Sequence, residues 1–442
     1  MALVAFLISI LFLWLVARRK GIGLLSAYGI FAAFQMLYNL APASAKALGA
    51  DTLTLLLDSA AVNTQLLLAA SANVCFGIVH AVYYRKPLLK YDSGSSQERQ
   101  KRNYVLWSVL PFLLGYIMVM KYGWNALTVI NPGVKEAAGG MFVLTAYIKN
   151  CLVALYVYYL YRFGVDKWAW VLLGAHTVLV VLDGARTTFL PIAFLTLLLF
   201  DHQGASKLQK RKLYALALCG LSISIAARSL SLEGGSLLAR IGAPVTSEGL
   251  FGAYPSLQAI HVLSQDSHPR LTYGASYILD PIIWIVPQGD TRSGNLIFHS
   301  WATEAASSLQ EDFGPMGGFY YVAEAVAAFS YAGPAIITTL FASVLIWVER
   351  NVQKHRLLFV TWMPTFGILF AKMVFGNLFK LFLVQLMFVS VFVVVRKYRI
   401  SVGKWLTKER LTTSPGILTA TRSSAPVSHN EWPVAAKALP RP

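Results

Sequence analysis

Residues 1–20 read MALVAFLISILFLWLVARRK, and this stretch decides the fold class. Its first 17 residues carry no charge, and the basic triplet Arg18-Arg19-Lys20 follows at once. Crossing the ~30 Å hydrocarbon layer of a bilayer takes roughly 20 apolar residues in a helix. Runs of this kind recur as far as residue 395. The whole chain is 56% hydrophobic and 13% charged, with a mean hydropathy of +0.57. A soluble domain carries about 25% charged residues. So few charges cannot clothe a water-soluble particle of 442 residues, and lipid becomes the main solvent. The expected fold is an all-α polytopic membrane protein with about eleven transmembrane helices.

Working outward, spans are expected near 1–17, 22–40, 53–84, 103–121, 139–161, 167–184, 187–201, 213–228, 319–348, 357–375 and 377–395. The stretch 53–84 is too long for one straight crossing, which predicts a tilt or a break near Asn63 or Asn73. Short cytoplasmic loops collect Lys and Arg. The triplet at 18–20 starts such a series, and every second connection repeats it, so that 27 of the 38 basic residues fall on one side. This predicts an outer N-terminus and a cytoplasmic C-terminus. The first span lacks a basic leader and a small-residue cleavage site, and reads as a retained anchor. The chain divides into an N-terminal membrane region of about eight helices (1–228), a large outer loop (229–318), a C-terminal membrane region of about three helices (319–399) and a cytoplasmic tail (400–442). From about Arg410 that tail is rich in Ser, Thr, Ala and Pro and reads as disordered.

The net charge of +18 invites a nucleic-acid reading. That reading needs the charge on one exposed face, whereas here it is spread between hydrophobic spans, so no nucleic-acid partner is expected. Cys75, Cys151 and Cys219 lie inside spans without paired or metal-ligand spacing, and read as packing residues.

The outer connection Ser229–Gly318 stands apart by its length, since long loops in compact proteins are usually functional. It holds a short helical pattern at Tyr254–Leu263 and a Pro-bounded apolar stretch at Ile278–Val286 suited to the membrane interface. It also concentrates ionisable side chains, among them Arg240, Asp280, Arg292, His299, Glu304 and Glu311. Further charges sit at or just below the outer surface: Arg186 in a tight Gly-containing turn, Lys372 and Lys380 around the last outer turn, and Lys149 within a span. Charge at membrane depth costs a few kcal/mol at the least, which makes each one a functional candidate. Arg and Lys together form a cationic pocket suited to a pyrophosphate. A polyprenyl-pyrophosphate sugar presents that group at headgroup depth. The outer loop has no Asp-x-Asp pair and no His/Cys cluster at metal spacing, which favours a metal-free mechanism without cofactor.

Bland readings stand beside these. Arg186 pairs plausibly with Asp183, Glu324 suits a helix start through the macrodipole, and Lys372 and Lys380 suit snorkelling to the headgroups. His299 reads equally as an ordinary loop histidine, and His176 as a packing residue.

The segments Asp183-Gly184-Ala185-Arg186, Asp280-Pro281 through Pro287, and Gly314-Pro315-Met316-Gly317-Gly318-Phe319-Tyr320-Tyr321-Val322-Ala323-Glu324-Ala325 with Phe329-Ser330-Tyr331-Ala332-Gly333 together resemble the O-antigen or oligosaccharide repeat-unit polymerases. Ala328 stands where that pattern more often has a polar residue. The resemblance implies a GT-C-like membrane architecture in a bacterial inner membrane. It implies glycosyl transfer between two undecaprenyl-pyrophosphate-linked oligosaccharides, with undecaprenyl pyrophosphate leaving. Arg186 is then the first candidate for pyrophosphate contact, followed by Arg240, Arg292, Lys372 and Lys380. Glu324 falls on the family's acidic position, and His299, Glu304 and Glu311 are the other candidate bases. A chain-length regulator and a flippase are the implied partners. Two alternatives stand: an O-antigen ligase, for which His299 is the marker, and a transporter or flippase of lipid-linked oligosaccharide, which tends to show interrupted helices and internal repeats.

Overall fold

The computed structural model describes residues 1–23, 26–47, 59–86, 101, 104, 151–182, 209, 211–212, 214–215, 237–265, 271–285, 297, 300–301 and 321–412. Among these, every regular element is a helix. In chain order they are α1 (Ala2–Lys20), α2 (Ala27–Ala47), α3 (Ser59–Tyr83), α4 (Cys151–Phe163), α5 (Lys167–Leu182), α6 (Leu237–Gln265), α7 (Ala275–Ile285), α8 (Tyr321–Phe329), α9 (Gly333–Arg350), α10 (Arg356–Trp362) and α11 (Phe375–Thr412). Among the described residues, four stretches are long and apolar enough to cross a membrane: Ala2–Lys20, Ala60–Tyr83, Tyr321–Arg350 and Phe375–Val395. The expected span at 187–201, those at 103–121 and 213–228 apart from residues 104, 214 and 215, and the first part of 139–161 lie outside the described residues. The chain forms two compact units, Met1–Val391 and Phe392–Pro442; the described part of the second is helix to Thr412.

The outside of the first unit is unlike that of a water-soluble bundle. On α1 the residues Leu3, Leu7, Leu11, Trp14 and Leu15 are exposed, on α3 Leu67, Val74, Ile78 and Val82, and on α9 Ile336, Leu340, Val344 and Trp347. Each set recurs at helical spacing and forms a continuous apolar stripe on the outside. Inside lie Gln35, Asn39, Gln65, Asn73, Ser256 and Gln258, all buried. Apolar stripes of this extent are stable against lipid and not against water.

Small residues and amides hold the helices together. Helix α1 ends at Gly21, in the left-handed conformation (φ 63°); Ile22 N–H donates to the Ala17 carbonyl at 2.9 Å and Gly21 N–H to that of Arg18 at 3.3 Å. These are the two bonds of a Schellman stop, and Arg18, Arg19 and Lys20 offset the negative end of the dipole. Of the tilt or break expected in this span, the break does not occur: helix α3 runs unbroken through Asn63 and Asn73. The Asn73 side-chain N–H points sideways instead, donating to Ser9 Oγ on α1 at 3.0 Å. Gly77 admits the Phe12 ring of α1 where a Cβ would collide.

Three segments depart from the regular spans that the sequence implied. The region 319–348 is two helices, α8 and α9, joined by a 3₁₀ turn at Ser330–Ala332, with Ser330 left-handed at φ 54°. The span at 357–375 contains a π turn, Met363–Gly367, at Pro364, whose missing N–H removes an i→i−4 bond. The tail set at residue 400 begins inside α11, which continues to Thr412; its end coincides with the shift to Ser, Thr and Pro, and not with the first charges.

Within the large connection Ser229–Gly318, α6 is a 29-residue helix, longer than the pattern at Tyr254–Leu263 suggested. Its C-terminal half packs on α2, α3 and α8. Gly249 and Gly252 make that approach possible, since a Cβ at either would collide with α2, at Ala41 and Tyr38 respectively. Ser256 Oγ donates to Gln65 Oε1 at 2.9 Å, which fixes α6 on α3.

Candidate functional site

The site is built where three helices start. Helix α8 carries Glu324 in its first turn, buried with 3% exposure. The turn before α11 lies alongside: Tyr321 N–H donates to the Ala371 carbonyl at 3.4 Å, and Phe375 N–H donates to Glu324 Oε2 at 2.9 Å. The carboxylate therefore caps the N-terminus of α11, where the dipole favours negative charge. Helix α7 supplies the third start. Tyr273 and Gly274, both left-handed (φ 48° and 79°), turn the chain so that Thr272 N–H donates to the Ala327 carbonyl at 3.0 Å and α7 begins beside α8. A Cβ on Gly274 would lie 2.8 Å from the Phe329 ring, so only Gly fits this close approach.

This turn brings Ser276, Tyr277 and Asp280 to the carboxylate. Ser276 and Asp280 are both buried beside Glu324. Neither Ser276 Oγ nor Glu324 Oε1 has a well-formed hydrogen bond among the described residues. The same holds for the hydroxyls of Tyr277 and Thr272. Asp280 is held by Ile297 N–H, which donates to Oδ1 at 2.7 Å, and the Tyr277 ring packs edge-on against Phe375 at 5.2 Å. An unpaired buried polar atom costs about 1–3 kcal/mol. Buried polar atoms without partners are few in native proteins, so the group around Glu324 is unusual.

A chain of amides supports the site from the core. Gln35 Nε2 donates to the Tyr321 hydroxyl at 2.8 Å, Asn39 Nδ2 to Gln35 Oε1 at 3.2 Å, and Gln65 Nε2 to Asn39 Oδ1 at 3.2 Å. With Ser256 on Gln65, the chain ties α2, α3 and α6 to the first turn of α8, one helical turn from Glu324. Phe341 and Phe370 stack at 3.8 Å below Tyr321, whose ring lies 5.0 Å from Phe370.

Of the residues singled out from sequence, Glu324 is central. Lys372 follows Ala371 in the turn that meets α8, and at 3% exposure it is buried, not snorkelling to the headgroups. Lys380 is half-buried in the second turn of α11. Arg240 stands in the first turn of α6; its side chain lies outside the described residues, as do Arg186, Arg292, His299, Glu304 and Glu311. His176 is buried, its ring 5.5 Å from Tyr156. Sequence reasoning did not put Ser276, Tyr277, Asp280 or the amide chain into the site. Their signal was present as polar groups inside apolar runs. No group of three or more His, Cys, Asp or Glu placed to hold a metal ion occurs among the described residues. Compared with protein-family models, with curated proteins and with solved structures, the chain matches none.

Proposed function

We propose that the chain polymerises undecaprenyl-pyrophosphate-linked oligosaccharide repeat units at the outer face of a bacterial inner membrane, with about eleven spans, an outer N-terminus and a cytoplasmic C-terminus. The observation that supports it is Glu324: the acidic position of the resemblance is a buried carboxylate, anchored through one oxygen by Phe375 N–H and unpartnered at the other. An acceptor hydroxyl attacks the anomeric carbon of the donor sugar, a new C–O bond forms, and the bond to pyrophosphate breaks. The leaving undecaprenyl pyrophosphate keeps the bonding pair, and the hydroxyl proton passes to a base. In this reading Glu324 Oε1 accepts that proton, with His299, Glu304 and Glu311 as the other candidates. Arg186, Arg240, Arg292, Lys372 and Lys380 neutralise the charge that develops on the pyrophosphate. A chain-length regulator and a flippase are the proposed partners.

The test is to supply the purified protein in nanodiscs with the host's lipid-linked repeat unit and to read the products on a gel. The expected product is a ladder, lost in Arg186→Ala. A single addition onto a lipid A core acceptor identifies an O-antigen ligase instead. A transporter or flippase is the second reading, favoured by the interrupted helix at Ser330–Ala332 and the π turn at Met363–Gly367. Passage of labelled substrate across the bilayer with no new glycosidic bond would establish it.

A further inference from the structure

Helix α7 is inside out. It has 11 residues, about 16 Å of helix, too short to cross a bilayer. Its protein-facing side carries the polar groups: Ser276 and Asp280, both buried against the Glu324 site. Its other side is aliphatic and open, with Ile278 66%, Leu279 44% and Ile282 53% exposed. Residues i, i+1 and i+4 share one face of a helix, so these three form a single patch. In an aqueous loop that arrangement would hide the soluble side chains and show water the insoluble ones.

The surroundings indicate what covers the patch. The loop into α7 leans on Phe329 at the end of α8, and two residues later Tyr331 is exposed. From Ile336 onward α9 presents its own apolar stripe, on a segment long and apolar enough to cross a membrane. Helix α9 covers about 27 Å, close to the full hydrocarbon thickness. The break at Ser330–Ala332 therefore falls near the edge of the hydrocarbon, where tyrosine is favoured, and α7 starts at that level.

We infer that α7 is an interfacial membrane helix: its Ile278–Leu279–Ile282 face contacts lipid acyl chains in the leaflet at the Glu324 end of the bundle, and its Ser276–Asp280 face lies against the Glu324 site. The site is then separated from the lipid on this side by the thickness of one helix, about 10 Å. This inference stands whether the site transfers sugars or moves lipids.

The test is site-directed spin labelling of the full chain in nanodiscs. Ile278→Cys, Leu279→Cys and Ile282→Cys are introduced one at a time into a background with Cys75, Cys151 and Cys219 changed to Ala, and Lys354→Cys serves as the water-exposed control. Oxygen concentrates in the hydrocarbon and a nickel chelate stays in water. The three α7 labels are expected to relax several-fold faster with oxygen than with the chelate, with the order reversed at the control. Faster relaxation with the chelate at all three would place the face in water and overturn the inference. Protection from both agents would show a protein segment covering the face, and would overturn it equally. Each label replaces an exposed side chain, so folding is spared; a background that does not fold is replaced by one with Ser at the three cysteines.

Discussion

At the residue scale, two carboxylates show how differently buried charge is handled. Burial alone would raise the carboxyl of Asp166, yet hydrogen bonds from Lys101, Ala169 N–H and the Tyr159 hydroxyl, with the Lys101 charge, hold it below its ordinary value. Lys101 Nζ lies 2.7 Å away, Ala169 N–H donates at 3.0 Å, and Tyr159 donates at 2.9 Å. Asp166 is thus the N-cap of α5 and the anchor of residue 101. A depressed carboxyl contributes stability above its unfolded value of about 3.9, and loses it as pH falls through the folded value. Asp166→Ala is therefore expected to lower stability by about 1 kcal/mol at neutral pH, with the gap to wild type closing below about pH 3.9; thermal unfolding in detergent across that range checks both. Glu324 has no such set of partners. Its place was legible in the Gly-rich run leading to Ala323-Glu324-Ala325. Ser276 and Asp280 were not legible as its neighbours, because the three segments at 275–280, 321–324 and 371–375 share no spacing that sequence can reveal. Asp280 is visible only as a charge inside an apolar run, and the fold decides that it faces a second carboxylate.

At the element scale, the break between α8 and α9 carries the most structural information. Residues 319–348 are predominantly apolar, with Glu324 as the one charge, so hydropathy alone reads one span. The interruption rests on local geometry: Ser330 is left-handed, and Gly333 packs against the Ala325 carbonyl so closely that a Cβ would collide with it. A backbone carbonyl within a helix cannot swing aside as a flexible side chain does. Gly333→Ala is expected to cost about 1–3 kcal/mol, seen as a lowered unfolding midpoint, with α8 displaced from the turn at 371–375. An unchanged midpoint would mean that the turn is looser than described. The reverse lesson comes from α3. Asn63 and Asn73 suggested a break, but an amide N–H within a span is as easily satisfied by a neighbouring helix, and Ser9 provides the acceptor for Asn73. Polar residues inside apolar runs therefore marked contacts between helices more faithfully than ends of helices. Gln35, Asn39 and Gln65 follow the same rule, and together they brace the first turn of α8 from the core.

At the scale of the whole molecule, composition and hydropathy made the membrane class legible, and the apolar stripes exposed on α1, α3 and α9 agree with that class. The contacts also gather loops that the charge pattern put on one side: residue 101 meets Asp166, and Tyr161 bonds Gln353 at 3.4 Å. Helix α9 leads away from that end towards Glu324. The central claim is that the carboxylate at the meeting of three helix starts performs glycosyl transfer. Glu324→Gln tests it most directly, because the amide oxygen still accepts from Phe375 N–H while the base is removed. With the protein in nanodiscs and a lipid-linked repeat unit as substrate, the release of undecaprenyl pyrophosphate in a single turnover is the quantity to measure. A fall of about 10²–10⁴-fold is expected, with the unfolding midpoint nearly unchanged. Release at the wild-type rate would contradict it.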